Sequence, residues 1–236
     1  MMRRIGILLM LLLVSYVQLQ AKVYLVSVGV ADYPGKKNDL RVSDNDAKAI
    51  AKVFDATKDA QSYVLINEYA IQSALLTTIC KTCEVACTDD AFVLYFSGHG
   101  TPGALACYDG LLSYQKIFNA LNKCKAKRRM IIVDACFSGK MRVTKQQYSR
   151  YNSQDVMFFL SSRANEISKE TPYQNSLFTL FLERGLRGGA DKDKNRKITA
   201  REIYDFVHQG VTDASGGKQH PVMWGKFKND MTIIKW

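Results

Sequence analysis

The chain has 236 residues, 47% hydrophobic and 23% charged, which excludes a disordered or fibrous protein and allows one domain with a sizeable core. Its formal net charge of +11 comes from 33 Lys and Arg against 22 Asp and Glu. These basic residues are scattered rather than gathered in a stripe, so they read as a solvated face and nucleic acid is not an expected partner.

Arg3 and Arg4, the apolar run 5–17, a short polar stretch and Ala21 read as a secretory signal peptide over residues 1–21. The run is shorter than the about 20 apolar residues that spanning a bilayer needs, so no stable membrane insertion is expected once it is removed. Export then ends in the periplasm or outside the cell. Residues 22–236 form one domain.

Within it, residues 22–30 (KVYLVSVGV) read as a strand that the Asp32-Tyr33-Pro34-Gly35 turn ends. Ser43 is placed to cap a helix to about residue 57, with Ala47, Ile50, Ala51 and Phe54 inward. A strand at 62–67 and a helix at 71–86 follow; Cys80, Cys83 and Cys87 lie on one stripe of that helix and read as small buried core residues. Residues 90–97 (DAFVLYFS) and 130–133 (MIIV) are nearly all apolar, as in strands buried on both faces. Between them come a hairpin at 104–112 and a helix at 113–124. Residues 140–152 form an exposed basic loop, 156–160 (VMFFL) a buried strand, and 176–186 and 199–211 helices, with a short strand at 231–235. Such alternation predicts an α/β fold with a doubly wound, mostly parallel sheet flanked by helices on both faces.

In such sheets chemistry gathers past the carboxyl ends of the strands. Two strands end in unusual residues: Phe96-Ser97-Gly98-His99-Gly100 and Asp134-Ala135-Cys136-Phe137-Ser138-Gly139. Of the three histidines only His99 stands at such an end, and an imidazole can both take a thiol proton and supply one to a leaving amine. On spacing alone, a Cys136–His99 pair competes with a buried cysteine and a loop histidine. Backbone N–H groups of Gly100 and Cys136 are candidates for holding an oxyanion. Asp134 shares a face with Cys136 and opposes ionisation of the thiol, so it needs a cation of its own. A substrate Arg or Lys side chain would supply it.

The YFSGHG and DACFSG segments resemble the histidine and cysteine motifs of caspase-like peptidases, above all metacaspases and their bacterial relatives. The likeness runs over residues 22–236 and includes LRVSDNDAKAIAKVF and QHPVMWG. It implies a caspase-like fold and a cysteine endopeptidase acting through His99 and Cys136 by an acyl-enzyme, with no cofactor required. By motif it implies an acidic S1 pocket of Asp134, Ser97, Asp46 and Ser161, hence protein or peptide substrates with Arg or Lys at P1. Ser161 is adjacent to Ser162, and a slip of one residue would reverse which of them faces the pocket. A catalytically idle caspase-like binding domain and a calcium-dependent interaction module of the cell envelope are the alternatives.

Two features stand outside that pattern. The loop KMRVTKQQYSR offers Lys145 and Arg150 to self-cleavage. Residues 191–202 match an EF-hand loop, with Asp191, Asp193, Asn195, Lys197, Thr199 and Glu202 as calcium ligands, but Arg196 stands where the turn wants glycine and further basic residues oppose a cation. A vestigial loop that caps a helix is the competing reading.

Overall fold

Period-two alternation in the strands sorts the core into two layers, one on each face of a single sheet. The structure, a computed structural model, describes residues 21–136, 138, 141, 155–166, 168 and 175–236. Residues 1–20 of the expected signal peptide, nearly all of the 140–152 loop, Lys145 and Arg150 lie outside the described residues.

Strands β1 (Val23–Gly29), β2 (Ala60–Ile66), β3 (Ala91–Ser97), β7 (Arg128–Asp134), β8 (Asp155–Leu160) and β10 (Val222–Lys226) make a six-stranded sheet. Its order is β10-β8-β7-β3-β1-β2. All neighbours are parallel except β10, which runs antiparallel along β8. Sequence periodicity does not announce β10, because Val222–Lys226 is a half-exposed edge. Its Trp224 indole stacks flat on Phe158, 4.1 Å between ring centroids. A separate hairpin system, β4 (Gly100–Thr101), β5 (Ala104–Cys107) and β6 (Gly110–Ser113), follows β3.

Tyr24, Val26, Val28, Phe92, Leu94, Phe96, Ile131 and Val133 face helices α2 (Gln72–Val85) and α3 (Tyr114–Leu121). The alternate residues Leu25, Val93, Tyr95, Met130, Ile132, Met157 and Phe159 face α1 (Ser43–Asp55), α4 (Leu177–Arg184) and α5 (Ala200–Ala214). Because β3 and β7 are buried on both faces, Ala91–Phe96 and Met130–Val133 lack polar alternation and the first residue to break each run is the last of its strand. That residue is Ser97 in one and Asp134 in the other, and the register pairs them. Parity puts both on the α1 and α4 side.

Two expectations change. Val42, not Ser43, is the N-cap of α1 and makes no side-chain cap bond. The first turn of the helix lies against Gly29, where an added Cβ would come 2.2 Å from the Ser43 carbonyl. Cys83 is buried as expected and Cys80 half-buried, but Cys87 is exposed. Helix α2 ends at Val85, so the next position of the stripe falls beyond it.

The close approach at Gly29 carries a prediction, since α1 bears Asp46. Gly29→Ala must push the helix off the strand end, at a cost of about 1–3 kcal/mol. Thermal unfolding should show the destabilisation.

Candidate active site

The strand order turns back between β1 and β3, so a crevice opens past their carboxyl ends and that of β7. A cavity of about 300 Å³ lies there, lined by Leu40, Val42, Ser43, Ser97, Gly98, His99, Asp134, Ala135, Cys136, Ser168 and Ser176. Four of the residues singled out from sequence therefore share one wall: Ser97, His99, Asp134 and Cys136.

His99 is held from three sides. The Tyr33 hydroxyl accepts the His99 backbone N–H at 2.9 Å and donates to the Ala106 carbonyl at 3.0 Å. The Tyr33 ring lies 4.9 Å from the imidazole. Burial raises the Tyr33 phenol far above its ordinary range, so it stays a neutral donor. The imidazole Nε2 lies 2.8 Å from the Asn38 carbonyl. A carbonyl only accepts, so this contact assigns the proton to Nε2 and leaves Nδ1 with the basic lone pair.

Gly98 and Gly100 flank the histidine for steric reasons. A Cβ on Gly98 would meet the Tyr33 hydroxyl at 2.7 Å, and one on Gly100 the Cys136 carbonyl at 2.8 Å. Gly100 thus packs directly on the Cys136 backbone. Ala106 donates to the His99 carbonyl, so the next pair of that antiparallel ladder, Gly100 and Leu105, is a non-hydrogen-bonded one. The Gly100 N–H is not spent on the ladder.

Beneath the cavity two carboxylates lie buried. Asp134 accepts from the hydroxyls of Ser168 and Ser176 in short hydrogen bonds, and from Thr179 at 2.9 Å. Asp46 accepts from Ser97 Oγ at 2.8 Å, Asn175 Nδ2 at 3.0 Å and the Ser176 N–H at 2.9 Å. Among the described residues no Lys or Arg pairs with either. Burial raises both carboxyls, and the charge of Asp134 raises Asp46 further, while the surrounding donors pull the other way.

Asp46 and Ser161 do not line the cavity themselves. Asp46 stands behind Ser97 and Ser176. Ser161 is fully buried on the expected face; its hydroxyl accepts the Ala135 N–H at 3.2 Å and bears on Asp134. Ser162 turns to the Glu166 carbonyl instead. The hydroxyls of Ser168, Ser176 and Thr179 were not anticipated. One signal existed: Ser176 precedes an apolar run as a helix cap, and it is the N-cap of α4, accepting from the Thr179 N–H.

The EF-hand-like loop lies apart, at the start of α5. Carboxylates of Asp191, Asp193 and Glu202 come within 4.8 Å of one another. Each is engaged by the loop itself: Asp191 accepts the N–H groups of Asn195 and Arg196, Asp193 that of Asn195, and Glu202 that of Lys192. Thr199 and Glu202 form a capping box on α5. Asn195 turns its amide to Asp193, Lys197 is exposed in strand β9 (Lys197–Thr199), and Arg196 holds a positive φ of 62°. The side chains thus form a helix cap, with five basic residues around the three carboxylates.

Comparison with known proteins settles the family. The model of the caspase domain matches residues 23–231. The chain belongs to the caspase-domain family. Solved structures agree in fold: caspase-1 from Spodoptera frugiperda superposes with a TM-score of 0.69 at 15% identity, over 91% of this chain and 90% of its own. A protein of Geobacter sulfurreducens superposes at 0.66 with 17% identity, over 89% of this chain and 95% of its own. No curated protein sequence matches. The caspase domain carries a cysteine-peptidase fold, and its family implies protein substrates in general. No helix of the described residues is long and apolar enough to cross a membrane.

Proposed function

We propose that this caspase domain is an exported cysteine endopeptidase that hydrolyses peptide bonds after Arg or Lys. The observation that carries the reading is one cavity lined by Cys136, His99 and Asp134, with Asp46 buried behind Ser97 and no Lys or Arg paired with either carboxylate among the described residues. A buried carboxylate pair raises its own pKa, and an incoming guanidinium or ammonium relieves that cost.

In the proposed cycle the Cys136 thiol gives its proton to His99 Nδ1 as the sulfur attacks the scissile carbonyl. The Gly100 and Cys136 N–H groups hold the oxyanion. His99 then protonates the departing amine as the C–N bond breaks, leaving a thioester. Water, losing a proton to His99, cleaves the thioester and restores the thiol. Asp134, backed by Asp46, Ser97 and Ser161, anchors the P1 cation. No metal enters these steps; calcium, if held by Asp191, Asp193 and Glu202, acts on the α5 cap and not on the reacting atoms.

The test is a panel of fluorogenic peptides that differ only at P1, run with calcium and with chelator. Arg and Lys peptides should be cut at least about 10²-fold better than Asp or Ala peptides, in both conditions. Preference for Asp would overturn the pocket while leaving the dyad. No cleavage of any peptide would favour an idle binding domain, and cleavage lost on chelation a calcium-dependent one.

A further inference from the structure

The antiparallel edge strand β10 starts where β8 ends, since Val222 pairs with Leu160. The turn that leads into it, residues 215–221, therefore lies beside the site end of the sheet. Ser215, the C-cap of α5, fixes that turn: its hydroxyl accepts the N–H groups of Lys218 at 3.1 Å and Gln219 at 3.0 Å. Gln219 is fully buried and reaches back to the segment that follows β8. Its amide nitrogen donates to the Ser161 carbonyl at 2.9 Å and to the Ser168 hydroxyl at 3.3 Å. A carbonyl only accepts, so the nitrogen end of the amide must face this way. The next residue, His220, grips the same segment at Glu166: its N–H donates to one carboxylate oxygen at 2.8 Å, and its Nδ1 lies 2.8 Å from the other.

We propose that Gln219 is a positioning residue for the P1 anchor: it turns the Ser168 hydroxyl onto Asp134 and so fixes where that carboxylate presents its charge. The inference rests on the reading of Asp134 as the carboxylate that meets the P1 cation. Ser168 has one proton to give, and an amide N–H cannot accept it. With Gln219 donating to the Ser168 oxygen, the proton goes to Asp134 Oδ1, as the short hydrogen bond there shows. Donation from the amide also polarises the O–H and strengthens its bond to the carboxylate. The second bond, to the Ser161 carbonyl, keeps the amide from swinging away. The residue type follows from the same geometry. A Lys or Arg at this position would put a cation beside Ser168 and answer the charge of Asp134 from within the protein. Glutamine donates without a charge and leaves the carboxylate for substrate.

Steady-state cleavage of two peptides that differ only in Arg or Ala at P1 tests this, because the ratio of their kcat/KM values does not depend on how much of the protein is folded. Gln219→Met, close in size but without a donor, should reduce the Arg-over-Ala ratio roughly tenfold, mainly through a higher KM for the Arg peptide. Ser168→Ala should reduce it as much, and the double variant no further, since Gln219 acts through that hydroxyl. Glu166→Gln loosens the same segment without altering the Ser168 bonds, so it should lower the melting temperature and keep the parent ratio. The inference is overturned if Gln219→Met or Ser168→Ala keeps the parent ratio, if the double variant loses a further tenfold, or if Glu166→Gln loses as much as Gln219→Met. Where Gln219→Met does not fold, the Ser168→Ala and Glu166→Gln ratios still decide. A parent with no Arg preference is a separate failure: it removes the S1 reading, and this inference with it.

Discussion

Asp134→Asn should lose roughly 10²–10³-fold in kcat/KM on Arg and Lys peptides and yet melt at a higher temperature than the parent at neutral pH. Both effects follow from one fact: the carboxyl is buried with only hydroxyl donors around it, Ser168, Ser176 and Thr179. An asparagine keeps the shape, and the hydroxyls can rotate to accept from its amide. What vanishes is the charge that a P1 cation needs and that the free protein holds at a cost. The pH dependence follows in sign. Burial raises the folded pKa of Asp134, as it does for Asp46, so the folded state binds more protons than the unfolded chain. The resulting stability is fully present below the unfolded value of about 4 and is lost as pH rises through the folded value. The parent should therefore lose melting temperature from about pH 4 towards neutrality, and Asp134→Asn should lose less. An arginyl peptide aldehyde should restore much of the parent's loss and little of the variant's. A variant that melts below the parent throughout and still cuts Arg peptides normally would make Asp134 a structural residue.

That carboxylate shows how far the sequence could be read. Asp134 and Ser97 were legible because each ends the apolar run of a buried strand, and a fixed period of two assigns them a face. His99 and Cys136 were legible as the only His and a Cys standing past such strands. The supports were not. Asn38 holds the imidazole with a backbone carbonyl, which no side-chain pattern encodes. Asn175, Ser168 and Thr179 reach the carboxylates from segments distant in sequence, and small hydroxyl residues carry no periodicity of their own. Strand β10 hid because half-exposed edges do not show the apolar run of a buried strand. Where local pattern and tertiary contact agree, the place of a residue can be read from the string; where a contact alone fixes it, nothing in the string marks it.

His99→Ala should lower kcat by roughly 10²–10⁴-fold, and Cys136→Ala should leave only uncatalysed background. The double variant should then be no worse than Cys136→Ala alone, because an imidazole with no thiol to deprotonate and no acyl-enzyme to resolve has nothing left to do. The Asn38 contact sharpens this expectation. With Nε2 engaged by a carbonyl, one ring nitrogen serves both as acceptor from the thiol and as donor to the amine, so a single imidazole orientation must suffice for the whole cycle. His99→Gln therefore should not rescue, since its amide can fill the Asn38 contact but cannot exchange a proton. Rescue by glutamine, or a further loss on adding His99→Ala to Cys136→Ala, would mean that the ring positions substrate rather than moving protons. The proposed binding of basic side chains would be untouched by that outcome, but the proposed peptidase would lose its base.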